Sequence, residues 1–519
     1  MIVVLVATLT GGPGLEAAGA VDALATSSPS GATAADPALS ALLDRVVADS
    51  PDATCLTVQV DGRQIYVHDG ERPMIPASTL KLLTASAALD QLGPEHRTTT
   101  RVVADASPVK GLVGGDLVLV GGGDPLLTTD LNRLVRHIGD DLHPTSLDRL
   151  ADEVVDAGVL MISGRVVGDE SRYDSARVVD SWPERYITQN QSGPLSALTV
   201  DDGYDVSMDG PDGQLIRRRS DDPARSAAAA FSRLLTDRGI LIGGDAIAGT
   251  APSNPVELAS IESAPLTDVV SELLVTSDNQ TAELLTKEMG LAETGEGSTE
   301  AGLEVIESHL ADHGVAGADL TDGSGLAPSN QVTCDQLVEV LDLTGGIDGS
   351  LGSALPVAGE SGTLKRRFTD TPAAGLLRAK TGYLAEVTSL AGFVPLASGE
   401  VATFAYIANG EVVDDASRVP QDLLAIVLAT YEMRCPQSSA IPLVVPMAAY
   451  VGPMGALASF PLPSVLLPSG LVTLHVFEDG YRPLVDRCRS EDAGFGVVLI
   501  SRESTSPESA VPEPVPGDG

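Results

Sequence analysis

Within the 519 residues, strand signals stand at 55–68 and again at 376–408, near opposite ends of the stretch 38–433, which constrains the fold more than any local pattern. Cys55–Val60 alternates as a strand, Asp61-Gly62 supplies a turn, and Gln64–His68 reads as its hairpin partner. Strand-like runs return at Leu376–Lys380, Glu386–Val394 and Val401–Ala408. Helical patterns lie at Ala38–Ala48, Ser78–Leu92, Leu266–Thr276, Gln280–Gly290, Ser298–His313 and Ala416–Glu432. Pro76 opens the second of these and Gly93-Pro94 ends it. Thr98–Glu262 differs in texture, with short strands, Gly-rich turns such as GDLVLVGGGDP, and a few helices, the clearest at Ala224–Arg238. The expected architecture is one α/β unit, 38–97 plus 263–433, interrupted by an inserted strand-rich region at 98–262.

Composition excludes some partners. A net charge of −40 argues against nucleic acid, which needs clustered Lys and Arg, and against tight binding to anionic lipid. Aromatic residues are only 3%, so the cores must be built from Ala, Leu and Val. The opening MIVVLVATLTGGPGLEAAGA (1–20) resembles a secretory signal peptide: a short apolar run, then Ala18-Gly19-Ala20 as a cleavage site, though no Lys or Arg precedes the run. A disordered Ala/Ser/Thr/Pro spacer is expected at 21–37, and no later run reaches membrane-spanning length. The expectation is export to the cell envelope or beyond.

Lysine is scarce. Of 32 basic residues only Lys81, Lys110, Lys287, Lys365 and Lys380 are lysines, yet Lys81 stands among Leu80, Leu82 and Leu83. Ser78 lies three residues earlier, on the same face of a helix start. A partly desolvated lysine has a lowered pKa, and beside a hydroxyl it forms a nucleophile–base pair. An N-cap serine with a snorkelling lysine gives the same S-x-x-K spacing. Two further clusters shift the balance. Ser277-Asp278-Asn279 sits between two helices, where a capping turn is the plain alternative, and Lys380-Thr381-Gly382 ends a strand-like run. Helix start, loop and strand edge occur in the order known for active-serine β-lactamases and penicillin-binding proteins.

With these motifs the chain resembles the D-alanyl-D-alanine carboxypeptidase/endopeptidase family, the class C low-molecular-mass penicillin-binding proteins. The spacing from Ser78 to Ser277 far exceeds that of a class A β-lactamase, and the family carries an insertion there. GDLVLVGGGDP (115–125), GPLSALTVDDG (193–203), DGSGLAPSN (322–330) and LPVAGESGTLKRRF (355–368) also look like it. The resemblance implies an antiparallel sheet with helices on both faces, and a serine D,D-peptidase without metal or cofactor. It would hydrolyse D-Ala-D-Ala termini or cross-links of peptidoglycan stem peptides, with β-lactams as inhibitors. A β-lactamase and a silent wall-peptide binder are the rival readings.

Ser78 would then be the acylated nucleophile, Lys81 its proton acceptor, and Ser277 a relay to the leaving amine. Asn279 would hold the substrate amide and Lys81. Lys380 would keep the site positive, and Thr381 would bind a terminal carboxylate beside Gly382. Backbone N–H groups of Ser78 and Tyr383 would form the oxyanion hole. The family usually has Thr where Tyr383 stands, which removes a hydroxyl contact but not the backbone donor. Of Cys55, Cys334, Cys435 and Cys488, the resemblance implies a Cys55–Cys435 disulfide, because the first strand and the closing helix pack on one sheet.

Other features point less far. His309 and His313 stand four apart, but no third ligand is evident in sequence, so a surface helix is expected. Glycines 121–123 lack the Gly-Lys-Ser/Thr of a phosphate loop, and Tyr173 and Asp174 are candidates for bordering the cleft. After a connector at 434–459, residues 460–502 resemble the opening of the amino-terminal domain of Lon-type proteases, followed by a disordered tail at 503–519. Such a cytosolic fragment beside an exported enzyme is expected to be a fusion, readthrough or frameshift product, with a genuine wall-facing appendage as the alternative.

Overall fold

The computed structural model describes residues 36–136, 142–208, 215–410, 415–431, 461–462 and 498–499. The leader, most of the spacer, the connector, the tail, Cys435 and nearly all of the Lon-like stretch lie outside the described residues. Thr33–Cys435 forms one unit; Met1–Ala32 with Pro436–Gly519 forms another, whose described residues are the parallel pair Pro461–Leu462 and Val498–Leu499.

The larger unit opens with helix α1 (Pro37–Ala48), started by Asp36, whose carboxylate accepts from the Ala38 N–H, and by Pro37 in the first turn. Strands β1 (Ala53–Val60) and β2 (Arg63–His68) form a hairpin, and helix α2 (Lys81–Gln91) follows. The chain then builds a second sheet from β3 (Thr99–Ala104), β4 (Leu117–Val120), β5 (Val166–Asp169), β6 (Ile247–Ala248) and β7 (Val256–Glu262). Their order is β6-β5-β4-β3-β7, parallel from β6 to β4 and antiparallel beyond. Val102, Leu119 and Val166 pack there against α3 (Leu147–Asp156) and α4 (Pro223–Asp237) in a core made wholly of residues from this segment.

Helices α5 (Leu266–Thr276), α6 (Asn279–Thr294), α7 (Thr299–Asp312) and α8 (Cys334–Leu343) come next. Strands β8 (Arg378–Leu384), β9 (Val387–Pro395) and β10 (Val401–Asn409) then complete the first sheet, before the closing helix α9 (Val419–Thr430). That sheet is antiparallel throughout, in the order β8-β9-β10-β1-β2. β1 pairs with β10 along its whole length, from Ala53 opposite Asn409 to Val60 opposite Ala402. Helices cover both faces, as expected. Leu56, Val58 and Val60 point to α1 and α9, and Cys55 points to α2 and α8.

Two helices depart from the sequence reading. Ser78 lies on a 3₁₀ turn, Ala77–Leu80, and α-helical geometry begins at Lys81, because Ala77 has a left-handed φ of +50°. α6 runs past Gly290 to Thr294. Gly290 serves close packing there, since a Cβ on it would lie 2.7 Å from the Gly302 nitrogen, and one on Gly302 would lie 1.9 Å from the Thr286 carbonyl oxygen.

The disulfide expectation is corrected: Cys55 bonds Cys334, at the first position of α8, with the Cα atoms 6.0 Å apart. The pleat decides it. Successive side chains of β1 alternate between faces, so Cys55 points away from the closing helix and toward α8. Thr57, on the same face, donates to Asp335 at 2.5 Å. The bridge closes a separation of 279 residues. Cys334→Ala should therefore lower the unfolding free energy by about 2–5 kcal/mol, read as a lower urea midpoint, with a steeper slope because the uncrosslinked denatured chain exposes more surface.

Candidate active site

The turn that carries Ser78 is clamped from two sides. Ser389 on β9 and Thr79 each donate to the Pro76 carbonyl oxygen at 2.7 Å. Gly382 lets β8 lie against the turn: a Cβ there would stand 3.0 Å from the Ser78 nitrogen and 2.1 Å from Ser389 Oγ. Gly325, with φ +82°, approaches from the other side, where a Cβ would stand 2.0 Å from the Ala77 carbonyl oxygen. Any side chain at either position would displace the serine.

Lys81 is fully buried. Its Nζ donates to Ser78 Oγ at 2.9 Å, to Asn279 Oδ1 at 2.6 Å and to the Ser324 carbonyl oxygen at 2.6 Å. Burial lowers its pKa to about 8, although the nearby carboxyl groups of Asp322, Asp278 and Glu283 act in the opposite direction. Burial also raises Glu283 to about 8, with the Asp322 charge adding to the effect.

Ser277 and Asn279 share a turn between helices. Ser277 ends α5 in the left-handed region at φ +64°, and Asp278 caps α6 by accepting from the Thr281 N–H at 2.7 Å. Pinning the middle residue this way brings its two neighbours to two different lysines. Asn279 Oδ1 accepts from Lys81, while Lys380 Nζ donates to Ser277 Oγ at 2.8 Å and to the Thr381 carbonyl oxygen at 2.9 Å. Lys380 is fully buried too, and its pKa lies well below the usual lysine range, from burial and from the Lys81 ammonium. Thr381 Oγ1 donates to Thr363 Oγ1 at 2.9 Å. Tyr383 is half exposed, and the Arg418 guanidinium stacks on its ring 4.2 Å from the centroid.

The expected residues thus gather around Ser78, Lys81 and Lys380 through hydrogen bonds and strand register, and several unforeseen ones join them. DGSGLAPSN supplies the carbonyl of Ser324 and the fully buried Asp322, which accepts from the Gly325 and Ala327 N–H groups, Asn330 Nδ2 and Trp182 Nε1. LPVAGESGTLKRRF supplies Thr363. Both stretches are conspicuous in the sequence, but nothing in their pattern says which atoms turn inward. The inserted region also reaches the site, where Asn279 Nδ2 donates to the Gln191 carbonyl oxygen at 2.6 Å and Arg185 pairs with Glu386 at 3.2 Å. Tyr173 and Asp174 are used elsewhere, on Glu288 and Lys287 of α6. Beside the Ser277–Asn279 turn opens a cavity of about 400 Å³, lined by Leu127, Arg136, Gln191, Asp202 and Glu272. Burial and the Asp278 carboxylate raise Asp202 to about 6 and Glu272 to about 8.

A model of the D-Ala-D-Ala carboxypeptidase 3 (S13) family matches residues 39–212 and 209–431. The chain belongs to that family. Among S13 relatives, a D-alanyl-D-alanine carboxypeptidase of Actinomadura sp. (strain R39) is 31% identical over 444 residues, covering 71% of this chain and 79% of its own. A carboxypeptidase of Mycobacterium tuberculosis is 34% identical over 408 residues, covering 75% and 82%. The crystal structure of penicillin binding protein 4 from Haemophilus influenzae superposes with a TM-score of 0.61 at 23% identity, over 74% of this chain and 97% of that one. That last likeness concerns the fold. S13 membership makes the chain a serine-type hydrolase of the D-Ala-D-Ala carboxypeptidase class.

Asp322 supports the loop that meets both Ala77 and Lys81. Asp322→Ala strands several buried donors and should cost at least about 3 kcal/mol of stability, measured by chemical denaturation.

Proposed function

We propose that this S13 chain hydrolyses D-Ala-D-Ala termini or peptide cross-links of peptidoglycan through an acyl-enzyme on Ser78. The observation that carries the assignment is the 2.9 Å contact between Ser78 Oγ and the amine of a fully buried lysine. Neutral Lys81 takes the hydroxyl proton as Ser78 Oγ bonds to the carbonyl carbon. The oxyanion is received by the backbone N–H groups of Ser78 and Tyr383, a role supported by how closely Gly382 lets β8 approach the Ser78 nitrogen. The C–N bond then breaks, and the leaving amine takes a proton relayed through Ser277. Water hydrolyses the ester and restores Ser78.

Lys380 and Thr381 receive the substrate's terminal carboxylate. Two buried amines in one cleft disfavour each other's charge, so an arriving carboxylate draws the proton to Lys380 and leaves Lys81 as the free base. Asn279 orients both Lys81 and the substrate amide. Tyr383 contributes its backbone donor, and its ring stacks with Arg418 where the family's usual Thr would offer a hydroxyl. Most of 98–262 acts as inserted domains on a core of its own, while Tyr173, Trp182, Tyr186, Leu195 and Ala197 pack into the catalytic core. We place the enzyme in the cell envelope or outside the cell: the Cys55–Cys334 disulfide suits an oxidising compartment, and no helix among the described residues is long and apolar enough to cross a membrane.

Fluorescent penicillin tests the assignment. A stable adduct is expected on the wild-type chain and none on Ser78→Ala, with D-Ala release from a D-Ala-D-Ala peptide falling at least about 10³-fold. Rapid turnover of the adduct would instead mark a β-lactamase, and no adduct a silent peptide binder. The acylation rate should also follow Lys81. Its base form is the unprotonated one, so the rate should rise about tenfold per pH unit below about 8 and level off above. A rate flat from pH 6 to 9 would remove Lys81 from that role.

A further inference from the structure

The helical pair His309 and His313 lacks a third ligand in sequence, but the fold supplies one. Asp90, 219 positions before His309, lies on α2, the helix that begins with Lys81. One ligand atom from each of Asp90, His309 and His313 falls within 4.8 Å of the other two. We propose that these three side chains form a divalent-metal site of zinc type that ties α7 to α2, the helix following the nucleophile's turn.

The side chains around the site set the donors. His313 Nδ1 lies 2.9 Å from the His309 carbonyl oxygen, and as an N–H donor there it leaves Nε2 as a lone-pair ligand. His309 Nε2 lies 3.1 Å from Ser86 Oγ, so its Nδ1 faces Asp90 Oδ2 at 3.2 Å. That separation already approximates one edge of a zinc tetrahedron, about 3.3 Å for bonds of about 2.0 Å. The Ser86 hydroxyl can give or take a hydrogen bond. It donates to Nε2 when Nδ1 carries the proton, and accepts from Nε2–H when a metal occupies Nδ1, so the exchange needs no net proton. The His309 side chain is only 8% exposed and well held, whereas that of Asp90 is 62% exposed and free to close on an ion.

Two imidazoles and a carboxylate suit Zn²⁺, and its spectroscopic substitute Co²⁺, better than Mg²⁺ or Ca²⁺. With Asp90 and His313 exposed, water would complete the coordination, which makes the site a staple between helices, separate from the Ser78 chemistry.

The test titrates Co²⁺ and Zn²⁺ into the full chain, produced without a polyhistidine tag. Saturable binding of one ion per chain is expected, with the visible absorption of a four-coordinate Co²⁺ and a thermal midpoint that rises with Zn²⁺. His313→Ala and Asp90→Ala should each weaken binding at least about tenfold while keeping penicillin labelling, which reports their folding. Absence of saturable binding in the wild-type chain would overturn the proposal. So would binding that both variants retain at wild-type strength.

Discussion

Everything at the centre of this fold answers to one constraint: a lysine amine placed where water cannot reach it. Lys81 has three protein acceptors, and each comes from a different part of the chain: its own 3₁₀ turn, the start of α6, and the loop after α7. A buried ammonium without partners would be prohibitively unstable, so these elements must meet at one point or the helix cannot be buried. The same contacts that make burial tolerable set the serine, the asparagine and the loop in register. Burial also removes much of the proton affinity that an exposed lysine would have. Folding and reactivity therefore rest on the same atoms.

The second buried lysine extends this logic. Lys380 enters from a strand edge, and its partners are one hydroxyl and one carbonyl, with no carboxylate among them. Its charge has less local support than that of Lys81, which leaves room for an anion brought by a ligand. Asp322 and Glu283 brace the glycine loop against the serine turn, and the raised pKa of Glu283 limits how much negative charge they place beside Lys81.

The three motif clusters are legible in the sequence because each places a scarce residue type in a context with few structural uses. Lys81 among leucines is the plainest case. The two-sided sheet is legible from strands near both ends of the stretch, since only mutual pairing satisfies both. The disulfide partner is misread because it depends on which way a single β1 residue points, and a one-residue change of phase exchanges the two faces. Gln191, Thr363 and Ser324 contribute positions of backbone or hydroxyl oxygens, which leave no trace in residue type. The third companion of His309 and His313 is invisible for another reason: helix packing alone brings Asp90 there.

The hydrogen bond from Asn279 to the Gln191 carbonyl has a consequence for what the cleft depends on. Gln191 lies between α2 and α5, in a stretch whose Trp182, Tyr186 and Leu195 pack into the same core as Leu82 and Leu274, and it supplies one of the two partners that orient the asparagine. The reactive cleft is thus walled in part by a detour of the chain that shares the core of the α/β unit. A change in that detour can reach the asparagine through backbone position alone, without touching any residue of the three motifs.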